Sequence, residues 1–171
     1  MNAQYDVIII GGGVVGSAFA RELSRYALNI AVLEKELDVC NGVSGHNTGL
    51  LHSALLYEKG TMRCECCLEG NEFFEQAAEE LGVPFRRCGK LIVGFGVEER
   101  KRLDALFERG VGNGVPGLRM IDHDELKAME PSADGDFAIF VPSAGILDPF
   151  TYTIALAENA AMNGVKYHFD S

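Results

Sequence analysis

Gly11, Gly13 and Gly16 stand in G-x-G-x-x-G spacing directly behind the run YDVIII, and that junction narrows the possible folds more than any other feature of the chain. Tyr5–Ile10 is β-branched and does not alternate, which predicts a strand buried on both faces, as in a parallel sheet. Val14 to Tyr26 reads as a helix with Phe19, Ala20 and Leu23 on one side, and Asn29–Glu34 as a second buried strand. Strand, helix and strand at this spacing make a βαβ unit with a right-handed crossover. Each glycine then has its own reason. Gly11 turns the chain sharply out of the strand, Gly13 admits backbone to a pyrophosphate, and Gly16 lets helix and strand pack closely. Val14 and Val15 open the helix, whose free N–H groups and positive dipole end suit phosphate. Glu34 ends the second strand eighteen residues past Gly16. An acidic residue there accepts hydrogen bonds from an adenosine ribose, and Lys35 beside it joins the expected cofactor contacts. The carboxylate of Glu34 disfavours the 2′-phosphate of NADP, leaving FAD and NAD open.

Beyond this unit the sequence predicts an interleaved architecture. Lys35–Ser53 is a long loop with one helical turn; loops of that length are usually functional or disordered, and the apolar anchors at Leu50 and Leu51 favour an ordered, functional one. A helix is expected from Thr61 to Leu81, ended by Gly82-Val83-Pro84, then a strand at Leu91–Phe95 and an amphipathic helix at Glu98–Arg109. Asp122 or Asp124 caps a short helix that stops at Pro131, and Phe137–Val141 is another strand. Asp148-Pro149 is a cap and first-position pair opening a helix to Asn163; Gly164 ends it, and Val165–Phe169 forms a last strand. The fold class expected is α/β: a Rossmann-like βαβ layer interleaved with part of an α+β domain. Residues 1–82 and 143–171 would form two segments of a cofactor-binding domain, and residues 83–142 part of a substrate domain.

A net charge of −10 argues against nucleic acid and anionic lipid as partners. No apolar stretch approaches the roughly 18 residues of a membrane span, so no transmembrane segment is expected. The opening MNAQYD lacks the basic start of a signal peptide, which points to the cytoplasm. Of the five cysteines, Cys64 and Cys67 form a C-x-x-C, but no second such pair and no nearby His complete a metal set. Packing as small apolar residues is the expectation, with no metal site.

The run DVIIIGGGVVGSAFARELSRYALNIAVLEKE resembles the opening of flavoproteins of the D-amino-acid oxidase superfamily. The loop GVSGHNTGLLHSALLY and the stretches GKLIVGF, DHDELKAMEP and PSAGILDPFTYTIALAENAAMNGV are similar to FAD-dependent glycerol-3-phosphate dehydrogenases and L-2-hydroxyglutarate oxidases. The resemblance implies FAD as cofactor. It places Ser44, Asn47 and Thr48 near the phosphates and ribityl chain, and His52 near the reactive edge of the flavin as the catalytic acceptor of a substrate proton. His46, His123 and His168 receive no role, and Arg86 and Arg87 read as a solvated basic pair. The implied reaction is hydride transfer from a secondary alcohol carbon to flavin N5, on glycerol 3-phosphate or a 2-hydroxy acid, with a quinone or another acceptor taking the electrons. The alternatives are an L-2-hydroxyglutarate or amino-acid oxidase-like flavoenzyme and, in another class, a truncated, catalytically inactive nucleotide-binding remnant. Members of this group are longer, and the second glycine-rich FAD contact expected in their C-terminal part is absent here. The chain therefore matches an N-terminal portion that is inactive alone, its site completed by a homo-oligomer or a second polypeptide. The location implied is cytoplasmic or peripheral at the inner membrane.

Overall fold

The computed structural model describes residues 4–171. In chain order the elements are β1 (Val7–Ile10), α1 (Val14–Leu23), β2 (Ile30–Leu33), a 3₁₀ turn (Val43–Gly45), β3 (Leu50–Leu51), α2 (Met62–Leu81) and β4 (Phe85–Arg86). There follow β5 (Lys90–Gly94), α3 (Gly96–Asn113), β6 (Arg119–Asp122), α4 (His123–Met129), β7 (Phe137–Val141), β8 (Gly145–Leu147), α5 (Pro149–Met162) and β9 (Lys166–His168). By contact the chain divides into two units: Met1–Gly49, Gln76–Pro84 and Leu147–Ser171 in one, Leu50–Glu75 and Phe85–Ile146 in the other.

The first unit is built on a parallel sheet in the order β1-β2-β9, with Val7 opposite Ile30 and Ala31 opposite Lys166. The predicted βαβ unit is therefore present, and β9 extends it on the far side of β2. A core of Ala20, Ile30, Val32, Ala160 and Val165 fills the helix-facing side of the sheet, with Val7, Ile9 and Leu23 packed against it. Each large side chain fully buried there contributes roughly 1.5–3 kcal/mol. The central strand β2 is buried as expected, but β1 is not buried on both faces. Val7 and Ile9 turn to the core, while Ile8 and Ile10 remain 56% and 87% exposed. The unbroken apolar run conceals an alternation because successive side chains point to opposite faces and only the face of Val7 and Ile9 packs on the core.

The second unit holds an antiparallel sheet in the order β5-β7-β6 and a small sheet in the order β3-β8-β4. Its core gathers Leu55, Leu103, Val115, Ile139 and Val141. The expected helices are all found. Asp122 rather than Asp124 caps α4, its side chain accepting from the Glu125 N–H. Asp148 caps α5 with Pro149 in the first turn. Four strands had not been expected: β3, β4, β6 and β8. The unit borders also differ from the expected ones. Leu50–Glu75 and residues 143–146 fall in the second unit because β3 pairs with β8, Leu51 lying opposite Gly145. Residues 1–3, at the start of the expected first segment, lie outside the described residues.

Among the described residues no helix is long and apolar enough to cross a membrane. Cys40 and Cys64 are buried, matching the packing expectation, whereas Cys66 and Cys88 are exposed.

Candidate functional site

The turn from β1 into α1 is shaped by its glycines. Gly11 adopts φ +102°, a conformation that disfavours a side chain, and its N–H donates to the Leu33 carbonyl. A Cβ at Gly16 would stand 2.0 Å from the Gly11 carbonyl oxygen, so the first turn of α1 rests directly on the turn that precedes it. At Gly13 a Cβ would approach Ser44 Oγ to 2.9 Å. That oxygen accepts the Val14 N–H at 3.0 Å, so the loop caps the start of α1 from outside.

Glu34 occupies the end of β2 and is 9% exposed. Its Oε2 accepts the Gly12 N–H at 2.6 Å and its Oε1 the Glu36 N–H at 3.0 Å. These donors, Glu36 first and Gly12 second, hold the carboxyl below its ordinary pKa against the opposing effect of burial. It is ionised at neutral pH. Two carboxylate oxygens offer about four acceptor positions, so two bonds leave room for ligand hydroxyls.

Gly11, Gly13, Glu34, Lys35 and Ser44 all line one cavity of about 620 Å³, within the ~300–1,000 Å³ typical of ligand pockets. Ile10 lines it too, which gives its exposed side chain a place, as do Cys40, Asn41 and Gly42. Cys40 holds φ +66° and donates its N–H to the Gly12 carbonyl, bringing the loop onto the glycine turn. This bend had not been expected, although the Asn41-Gly42 dipeptide that follows Cys40 is a turn-forming pair that could have signalled it. The other expected contacts lie differently. Val15 is exposed on α1. Asn47 works within the loop: its Nδ2 donates to the Ser44 carbonyl at 2.7 Å, and its Oδ1 accepts the Gly49 N–H. Thr48 is exposed.

A dinucleotide fits this donor set. The cavity has a carboxylate at one end suited to ribose hydroxyls. Beside it, a Cβ-free approach at Gly13 and the amino end of a helix suit a pyrophosphate.

His52 belongs to the second unit, where it follows β3. Partial desolvation first, and the Lys90 ammonium second, hold its pKa below the ordinary imidazole value. The ring is therefore neutral at pH 7 and able to take a proton. A second cavity, about 500 Å³, is lined by Ser53, Asn71, Glu72, Arg87 and Ser143 among others. Arg87 is not the solvated residue expected. Its guanidinium donates to Glu75 at 3.0 Å, to Asn71 Oδ1 at 3.0 Å and to the Ser143 carbonyl. Arg86 is exposed. Asn71 was missed because a single Asn within a charged helix carries no sequence signal of burial.

Residues 6–171 match the family described as FAD dependent oxidoreductase. The chain is 41% identical over 165 residues to a glycerol 3-phosphate dehydrogenase of Caloramator mitchellensis, covering 95% of this chain and 34% of that protein. It is 39% identical to the mitochondrial L-2-hydroxyglutarate dehydrogenase of Homo sapiens, covering 92% of this chain and 34% of the relative. Among solved structures it superposes on the dithionite-reduced L-alpha-glycerophosphate oxidase of Mycoplasma pneumoniae with FAD bound. The TM-score is 0.92 at 27% identity, over 97% of this chain and 44% of that one. Glycine oxidase of Geobacillus kaustophilus gives a TM-score of 0.89 at 25% identity, over 97% of this chain and 46% of that one. The chain thus spans about a third of the length of these curated relatives.

Proposed function

The chain belongs to the FAD-dependent oxidoreductase family, and from that premise we propose that its first unit holds the ADP half of FAD in an enzyme that oxidises a secondary alcohol. The observation that carries this reading is the convergence of Gly11, Gly13, Glu34 and Ser44 on one cavity. Glu34 accepts the ribose hydroxyls. Gly13 and the N–H groups of Val14 and Val15 face the pyrophosphate. Lys35 flanks the adenosine end, and Ser44, Asn47 and Thr48 supply the loop that covers the phosphates and ribityl chain. Segments 1–82 and 143–171 serve the cofactor and 83–142 the substrate, save that Leu50–Glu75 folds with the latter.

Bound FAD supplies the hydride acceptor. His52 accepts the proton of the substrate hydroxyl on its neutral imidazole as the carbon–hydrogen bond breaks. The substrates named for the two relatives, glycerol 3-phosphate and L-2-hydroxyglutarate, each carry a secondary hydroxyl and an anionic group. A small anionic secondary alcohol is therefore the proposed substrate class, with a quinone or another acceptor taking the electrons. The oligomeric state and a peripheral membrane location belong to this same proposal.

Dye reduction by the complete gene product tests the chemistry. Glycerol 3-phosphate or L-2-hydroxyglutarate should support turnover. The acid limb of its kcat/KM profile should lie below the ordinary imidazole pKa, because His52 must be unprotonated and its pKa is lowered. His52→Ala should remove that limb and most of the rate. Undiminished turnover in His52→Ala, with the limb in place, would assign the proton transfer to another group.

A further inference from the structure

Asn71 lies on α2 and is only 7% exposed, and its amide is fully engaged. Nδ2 donates one hydrogen to the His52 carbonyl at 2.8 Å and the other to the Ser143 carbonyl at 2.9 Å. Oδ1 accepts from Arg87 Nη1 at 3.0 Å. Arg87 Nη2 donates to the Asn71 main-chain carbonyl at 3.1 Å. Arg87 Nη1 also reaches the Ser143 carbonyl, and Nε pairs with Glu75 at 3.0 Å. The guanidinium lies 5.4 Å from the centre of the Phe85 ring. A guanidinium only donates, so it fixes which end of the Asn71 amide faces it. A flipped amide would set its oxygen against two carbonyl oxygens.

We infer that Asn71 and Arg87 are positioning residues for His52, a brace that fixes the backbone from which the imidazole projects. The catalytic meaning of the brace rests on the reading of His52 as proton acceptor. On one side of His52, Leu51 is paired with Gly145. On the other, the Ala54 N–H donates to Cys67 Sγ at 3.2 Å. Between these anchors the Asn71 bond holds the His52 peptide itself, and it does so from a helix. Burial of Asn71 and Ser143 makes the centre of the network stiff, since the Asn71 amide and the Ser143 carbonyl would be costly to leave unpaired. The imidazole is left with Lys90 as the charged neighbour that acts on it.

The experiment is NMR of the chain carrying isotope-labelled histidine, titrated with pH, for the parent and for Asn71→Ala. The expected result is a changed His52 imidazole signal and a titration midpoint moved toward the ordinary imidazole value. His46, His123 and His168 should keep their signals, and unfolding should stay cooperative. Arg87→Lys keeps the charge but loses the planar fork, and it should move His52 in the same direction by a smaller amount. It carries the test if Asn71→Ala does not fold. Unchanged His52 signals in either folded variant, or a uniform shift of all four histidines, would overturn the brace. Full activity in His52→Ala would defeat the proton-acceptor reading and leave this titration unaffected, so the two failures are distinguishable.

Discussion

Glu34 joins stability and binding in one side chain. Its carboxylate ties the β1–α1 turn to the end of β2 through the Gly12 and Glu36 N–H groups, and it faces the cavity. Glu34→Gln keeps the shape but removes the charge and one strong acceptor. FAD affinity should weaken by about 1–3 kcal/mol, the scale of a hydrogen bond to a charged group. The pH dependence has a definite sign. The folded-state pKa is lowered, so the stabilisation is complete above the unfolded carboxyl pKa and is lost as pH falls through the folded one. The parent should therefore lose thermal stability on acidification faster than Glu34→Gln. Superimposable curves of Tm against pH would show that the carboxylate contributes nothing to folding. At this scale much of the site is legible from sequence. The glycines and Glu34 declare themselves because a turn, a close approach and a strand end each demand a particular residue type. Arg87 and Asn71 do not, because partners brought together only by tertiary folding leave no trace at either position.

Among the elements, the sharpest constraint is the contact between α1 and the turn before it. Gly16→Ala would force a methyl carbon to 2.0 Å from the Gly11 carbonyl oxygen, so α1 must shift outward or tilt. Overpacking of that kind costs roughly 1–3 kcal/mol. The variant should melt at lower temperature and bind FAD less tightly, since the N–H groups that face the phosphate move with the helix. Calorimetry checks the first and titration the second; a Tm equal to the parent's would mean the contact is slack. Gly49 makes a similar point for the loop: it holds φ +63°, and a Cβ there would lie 2.1 Å from the Leu147 carbonyl oxygen. Long elements were readable from their periodicity, and so were the caps at Asp122 and Asp148. β3 and β4, two residues each, are too short to show any period. The alternation of β1 was hidden by isoleucines on both of its faces.

For the molecule as a whole, sequence order and unit membership diverge. Glycine turn, loop, end of α2 and α5 assemble into one unit, while the intervening segments build another around β5-β7-β6. The interleaving was legible, because a βαβ start and a helix–strand finish of the same kind enclose a stretch of different character. Its borders were not, since they depend on β3 pairing with a strand nearly a hundred residues later in the chain. All the cofactor residues proposed lie in the first unit, so its claim can be tested separately from catalysis. The direct measurement is an amide-detected NMR titration of the chain with FAD, run in parallel on Gly13→Val. Binding should be saturable, with shifts concentrated at Gly11, Gly13, Val14, Glu34 and Ser44. Gly13→Val should abolish them while keeping a folded spectrum, because its side chain would fill the space beside Ser44 Oγ. Shifts that bypass these residues, or that persist unchanged in Gly13→Val, would contradict the assignment of this cavity to the dinucleotide.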